Sequence, residues 1–251
     1  MKKIISDLYP CIQGEGMYSG VPHVLVRLIG CNLHCAFSDG ICDSAHASWK
    51  PEYGKYDAND VVKMLDQNPQ IYHILITGGN PTNNISGLQE IISSIRNMYG
   101  YHLISLEDNG TQFPEKDYLD IDFVTLSPKL KNSIPIIGKK YIIGEQTIEL
   151  DKEAVNSHKN HIQNHNSLKK WMKTYDYQMK FVVSTESQIT EIAELQKSLG
   201  VPYSKIYLMP EGSNREQLEK RRVWLMETCI KTGYNYTDRL HIVAYDTRRD
   251  V

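Results

Sequence analysis

The spacing of apolar positions changes repeatedly along this chain, and each change predicts an element. From His23, "HVLVRLI" is a near-continuous apolar run that suits a buried strand. "DANDVVKMLDQ" then places Val61, Val62, Met64 and Leu65 on one helical face, with Asp57 or Asn59 available as the N-cap. A second strand-like run, "YHILIT", ends at Thr77. Helical spacing returns in "ISGLQEIISSIRNMYG" through Leu88, Ile91, Ile92, Ile95 and Met98, and Gly100 is placed to end that helix as the C′ residue. The alternation continues with strands in "YHLISL", "DFVTL", "MKFVV" and "KIYLM", a helix over "SQITEIAELQKSLG" and another from Asn214 to Gly233. A last apolar run, "RLHIVAY", closes the pattern. Such alternation predicts an α/β fold with a mostly parallel sheet, either open or closed into an incomplete barrel.

One stretch breaks the rhythm. Residues 130–176, including "NSHKNHIQNHNS", are polar and poorly periodic, and read as an insertion or long connection within a single domain spanning 1–251. His158, His161 and His165 within it share a helical face and invite a metal, but the surrounding Asn and Lys residues favour a solvated segment.

The unusual residues cluster by position. "GCNLHC" follows one predicted strand, and "GGNP", "EDNGT", "SPK" and "PEG" follow others, all at carboxyl ends. In parallel α/β folds those ends converge on the face where ligands bind.

Composition narrows the chemistry. A formal net charge of -2 over 251 residues proposes no nucleic-acid partner. The amino terminus lacks the apolar core of a signal peptide, and no apolar run approaches the roughly 18 residues that cross a bilayer, so a cytoplasmic location without a membrane partner is expected. In a reducing compartment the cluster Cys31, Cys35 and Cys42 is better explained by metal or redox chemistry than by disulfides. Cys11 and Cys229 read as ordinary thiols. The spacing fits two centres: a cubane iron-sulfur cluster held at three corners with one iron open, or a tetrahedral zinc completed by His34 or His46.

Longer motifs, in order, carry a resemblance over nearly the whole chain: "CIQGEGMYSGVPHVLVRLIGCNLHC", "CDSAHASW", "ITGGNP", "EDNGT", "TLSPK", "MKFVV", "LMPEG" and "RLHIVAY". The sequence resembles the 7-carboxy-7-deazaguanine synthases, a family of radical S-adenosylmethionine enzymes. The resemblance implies an incomplete (β/α)6 barrel and a lyase that converts 6-carboxy-5,6,7,8-tetrahydropterin to 7-carboxy-7-deazaguanine with loss of ammonia. A 4Fe-4S cluster, S-adenosyl-L-methionine and Mg2+ are implied as cofactors, flavodoxin or ferredoxin as electron donor, and a homodimer as the assembly. There is one departure. The common pattern is C-x3-C-x2-C, and Ser38 stands where its third cysteine is expected. Treating "SDGI" as an insertion aligns Cys42 there, so the implied cluster ligands are Cys31, Cys35 and Cys42.

The same resemblance implies the remaining site. Gly78 and Gly79 would let backbone approach the amino end of S-adenosylmethionine, with Asn80 standing where many members have Glu. Glu107, Asn109, Ser127, Pro128 and Lys129 would line that cofactor, and Ser44 takes the magnesium position. Ile12, Gln13, Gly14, Glu15 and Thr77 would read the pterin, Arg27 its carboxylate, and Val251 would approach it from the carboxyl end. Without the resemblance, Arg27 inside an apolar strand suits an internal salt bridge equally. A different substrate, or a degenerate zinc-binding relative for which Ser38 speaks, are the alternatives.

Overall fold

A computed structural model describes residues 2–38, 40–51, 53–98, 100–116 and 118–248. Val251 lies outside them. The chain runs β1 (Ile5–Ile12), β2 (Pro22–Leu28), β3 (Ala36–Phe37), β4 (Gly40–Ile41), α1 (Ala45–Ser48), α2 (Ala58–Gln67), β5 (His73–Gly78) and α3 (Ile85–Arg96). It continues through β6 (Leu103–Asp108), β7 (Phe123–Leu126), β8 (Lys140–Ile143), β9 (Gln146–Glu149), α4 (Lys152–Ile162), α5 (His165–Thr174) and β10 (Tyr177–Val183). The last elements are α6 (Glu186–Leu199), β11 (Ile206–Pro210), α7 (Arg215–Thr232), β12 (Asn235–Tyr236) and α8 (Leu240–Tyr245).

Among the described residues eight strands form one sheet in the order β1-β2-β5-β6-β7-β10-β11-β12. Every pairing from β2 onward is parallel, as alternation predicts. The sequence pattern passes over β1, which precedes the expected first strand and runs antiparallel to β2. It contains Pro10, which cannot donate to a ladder and is confined to an edge such as this one.

Register explains why the strands look uniformly apolar yet build two different faces. Val24, Val26, Leu28, Ile74, Ile76, Ile104, Leu106, Val124, Leu126 and Phe181 share one core with Val61 and Leu65 of α2, Leu88, Ile91, Ile92 and Ile95 of α3, and Ile192 of α6. Burying each such side chain contributes roughly 1.5–3 kcal/mol. The alternate positions fall in line across the ladder: Arg27 beside Thr77, Glu107 beside Thr125, and Thr125 beside Gln178, two residues before Lys180. That second face is polar.

Helix ends follow local chemistry. Asp57 caps α2 through a capping box with Asp60. Asn214 accepts from Gln217 N at 2.9 Å to start α7, and Gly233, with φ +77°, ends it. The structure corrects the end of α3. That helix stops at Arg96 with Asn97 as its cap, and the left-handed Gly100 (φ +98°) sits in the turn beyond. "RLHIVAY" winds into the short α8, with Ile242 buried.

Residues 130–176 are ordered into the β8-β9 hairpin and helices α4 and α5. Tyr141, Leu150 and Val155 of this segment join Ala36, Ala45 and Trp49 in a second, smaller core. Among the described residues, no helix is long and apolar enough to cross a membrane.

Candidate functional site

The cysteine loop leaves β2 through Gly30, whose φ of +97° favours glycine. Past Cys35 the chain forms the β3-β4 hairpin, pairing Ala36 with Ile41 and Phe37 with Gly40. Cys42 follows β4, and its N–H donates to the Cys35 carbonyl at 3.1 Å. Trp49 Nε1 donates to the same carbonyl, also at 3.1 Å. Ser38 takes another direction: its hydroxyl donates to Glu211 Oε1 at 2.8 Å, in the loop after β11.

The three thiols sense one another. Burial pushes the Cys31 thiol up to about 12, and a charge on Cys42 pushes the same way. Burial lifts Cys35 well above the ordinary thiol value, with Cys42 and Cys31 adding to the rise. Cys42 is raised by burial and then by Asp43. Lys129 opposes the rise at all three. A metal binds sulfur as thiolate, so thiols raised in this way would need a cation beside them to lose their protons. Of the histidines that a zinc tetrahedron would recruit, His46 places Nε2 3.0 Å from Asp7 Oδ2, and the His34 ring meets Trp49 edge-on at 5.3 Å. Among the described residues no group of three or more His, Cys, Asp or Glu side chains is placed to hold a metal ion. His158 is buried, which drives it down to about 4, so the three histidines of 130–176 do not form a shared exposed face.

The turns after β5, β6 and β7 close around this loop. Gly79 N–H donates to Leu28 O at 3.1 Å, and Asn80 N–H to Gly30 O at 2.7 Å. A Cβ on Gly79 would strike the carbonyl oxygens of Gly30 and Ala47, and one on Gly78 the backbone of Leu28. Glycine is thus required at Gly79 by the backbone on either side of the cysteine loop, and at Gly78 by the end of β2. Asn80 Oδ1 accepts from Asn109 N at 2.8 Å, Asn109 Nδ2 donates to Asn32 Oδ1 at 2.9 Å, and Asn32 Nδ2 donates to Thr111 Oγ1 at 2.8 Å. Lys129 Nζ donates to Ser127 O and Oγ at 2.7 and 2.8 Å. Asn109, Pro128 and Lys129 line a small crevice of about 10 Å³ together with His161, Ile162 and Asn164 from the segment read as an insertion or long connection.

On the polar face of the sheet, charges form a chain. Lys180 Nζ donates to Glu15 Oε2 at 2.5 Å and to Glu107 Oε1 at 2.7 Å, and Thr77 Oγ1 donates to Glu107 Oε2 at 3.2 Å. Arg239 Nε donates to Glu15 Oε1 at 2.9 Å, and its Nη2 to Asp43. Ser44 Oγ donates to Asp43 Oδ1 at 3.0 Å, and Arg27 Nη1 lies 3.5 Å from Ser44 Oγ. Arg27 also forms the internal salt bridge its position suggests, Nε to Asp7 Oδ2 at 2.9 Å. Burial alone would raise the Glu15 carboxyl, but Lys180 and then Arg239 hold it well below the carboxylate range. Arg239 does the same for Asp43. Burial would lower Lys180, and Glu107 and Glu15 reverse that and raise it.

Glu15 reaches this chain from the other end of the sheet. Because β1 is antiparallel, the "IQGEG" turn leaves it beside the start of β2, with Ile12 opposite Pro22. Gln13 O accepts from Gly20 N at 2.8 Å, Gly14 O from Leu240 N at 3.0 Å, and Gly16 N donates to Thr237 Oγ1 at 2.6 Å. Ile12 itself is half-exposed.

The structure therefore gathers Cys31, Cys35 and Cys42 with Gly78, Gly79, Asn109 and Lys129, and Glu15, Thr77 and Glu107 with Arg27 and Ser44. The sequence pattern omits Lys180, Arg239, Asp43 and Asn32. Lys180 carries the signal that marks Arg27, a cation inside an apolar strand; Arg239, Asp43 and Asn32 carry none, since the Arg239–Asp43 and Asn32–Thr111 pairs are remote in sequence.

Comparison with known proteins follows the same lines. The family described as "4Fe-4S single cluster domain" matches residues 12–120. The chain is 32% identical over 246 residues to the 7-carboxy-7-deazaguanine synthase of Rhodopirellula baltica, covering 98% of this chain and 88% of that protein. It is 31% identical to the same-named protein of Halobacterium salinarum, covering 96% and 90%, and 27% identical to that of Pyrobaculum aerophilum, covering 98% and 96%. Its fold is similar to the crystal structure of QueE from Escherichia coli, with a TM-score of 0.55 at 20% identity over 95% of this chain and 94% of that one.

Proposed function

The chain belongs to the 7-carboxy-7-deazaguanine synthase family, and on that premise we propose that it converts 6-carboxy-5,6,7,8-tetrahydropterin to 7-carboxy-7-deazaguanine with loss of ammonia, a step of queuosine-type 7-deazapurine biosynthesis. Cys31, Cys35 and Cys42 would hold a 4Fe-4S cluster, leaving one iron for S-adenosyl-L-methionine. When bound, that pair supplies radical hydrogen-atom abstraction. The observation that carries this reading is the bond from Cys42 N to Cys35 O, which brings Cys42 back to the loop while Ser38 is engaged by Glu211.

The protein's own residues bind and orient. Asn109, Pro128 and Lys129 lie together in the turns after β6 and β7, with Lys129 Nζ donating to Ser127 Oγ at 2.8 Å, and these groups suit the nucleotide cofactor. Arg27, aimed by Asp7 toward Ser44, suits the substrate carboxylate, and Ser44 beside Asp43 suits a hydrated Mg2+ shared with it. Glu15, Thr77 and Glu107, held by Lys180, offer acceptors and a hydroxyl to the pterin edge. Fixing these groups before the substrate arrives lowers the entropic cost of a productive pose. An incomplete (β/α)6 barrel around the polar face, a homodimer, a cytoplasmic location and reduction by flavodoxin or ferredoxin belong to the same reading.

Anaerobic reconstitution tests it. About four irons per chain, with S-adenosylmethionine-dependent formation of 7-carboxy-7-deazaguanine from the carboxypterin, is the expected result. Stoichiometric zinc without turnover would overturn the reading.

A further inference from the structure

We propose that His158 is a positioning residue for the cysteine loop, holding the His34 peptide between Cys31 and Cys35 in the conformation that seats the iron-sulfur cluster. The inference rests on the assignment of Cys31, Cys35 and Cys42 as cluster ligands.

His158 lies on α4 and is 1% exposed. Its Nδ1 lies 3.2 Å from His34 N, and a peptide N–H can only donate, so Nδ1 accepts. The neutral ring then carries its hydrogen on Nε2, which donates to Ser133 Oγ at 3.1 Å. The Ser133 hydroxyl spends its own hydrogen on Leu130 O at 2.7 Å. Three hydrogen bonds thus run in one direction, from the cysteine loop through α4 to Leu130. That residue directly follows Lys129, so the relay joins the cysteine loop to the turn after β7.

Packing leaves the relay little freedom. The His34 ring sits edge-on to Trp49, and Trp49 meets Tyr141 at 4.9 Å. Tyr141 in turn accepts Ile136 N–H at 2.8 Å, tying the hairpin to the same segment. Hydrogen bonding around cluster sulfurs sets reduction potential, and partners beyond the ligands orient them. A His34 N–H engaged by His158 is directed to α4; released, it is free to turn toward sulfur.

Three variants of the full chain, reconstituted anaerobically, test the idea. His158→Asn keeps an acceptor at the δ position and drops the donor to Ser133. His158→Gln keeps a donor at the ε position and drops the acceptor. His158→Ala drops both. Iron loss to a chelator, the electron paramagnetic resonance spectrum of the dithionite-reduced cluster and the melting temperature of the metal-free protein are compared. The expected result is iron loss about 10-fold faster in the Gln and Ala variants with an altered spectrum, while the Asn variant keeps the unsubstituted rate and spectrum even where its melting temperature matches that of the Gln variant. Equal iron loss in the Asn and Gln variants, or unchanged spectra in all three, overturns the proposal. If Ala fails to fold, the Asn and Gln pair decides. Unsubstituted protein that assembles no iron-sulfur cluster would overturn the ligand assignment itself, a failure visible before any variant is made.

Discussion

Ser38 and Glu211 are joined across the molecule by a hydrogen bond of 2.8 Å from the serine hydroxyl to Oε1, although the serine occupies the position where a third cysteine is expected. The bond gives Ser38 a structural task and leaves the third ligand place to Cys42. Ser38→Ala is therefore expected to retain iron after reconstitution at a stability cost of about 1 kcal/mol, the net worth of one hydrogen bond. Cys42→Ser is expected to lose it. Iron and sulfide analysis of both variants checks this, and iron lost by the Ser38 variant alone would reverse the assignment.

Lys180 is buried between two carboxylates, at 2.5 Å from Glu15 and 2.7 Å from Glu107. Lys180→Met leaves both anions without their shared cation, and breaking a buried pair in this way costs roughly 3–5 kcal/mol. Urea unfolding measures it. Removing a carboxylate as well, in Lys180→Met with Glu107→Gln, should recover part of the loss.

Acid should destabilise the fold in two stages. His23, His73 and His158 are held down to about 4 by burial, from an ordinary value of 6.5. Between those values the unfolded chain binds more protons, so stability is fully present above pH 6.5 and falls toward pH 4, by on the order of 1 kcal/mol per pH unit for each histidine. Glu15 and Asp43, depressed from 4.5 and 3.8, contribute stability that is present above those values and lost below them. Urea midpoints from pH 7 to 3 report the profile. Replacing His73 by Phe should remove about a third of the upper stage and leave the lower one.

Gly79 has no room for a side chain, because a Cβ would meet the carbonyl oxygens of Gly30 and Ala47. Gly79→Ala is expected to push the cysteine loop away from the turn after β5 and to reduce iron uptake several-fold. Gly144→Ala, at an exposed hairpin turn with open space around it and φ +59°, is the control. It costs about 1 kcal/mol of backbone strain and leaves iron uptake unchanged.

Much of the architecture was legible because it is local. Asn214 and Gly233 bracket α7 as their side-chain chemistry and φ demand, and Leu88, Ile91, Ile92 and Ile95 face the core at helical spacing. β1 escaped notice because its polar positions and Pro10 mask a strand that needs only one covered face. The order within 130–176 escaped because its buried apolar residues divide between two cores: Tyr141, Leu150 and Val155 join Ala36 and Trp49, and Leu168, Trp171 and Tyr175 join the main one.

By itself the sequence determined which elements form, that the sheet is mostly parallel, that the unusual turns share one end of it, and that three thiols are close neighbours, since all of these depend on spacing along the chain. Only the tertiary structure decided that Ser38 turns to Glu211, that Lys180 joins Glu15 to Glu107, and that a histidine in a polar segment is buried against the cysteine loop. These contacts join residues remote in sequence. Burial makes each one strong, and burial is a property of the packed chain that no local pattern records.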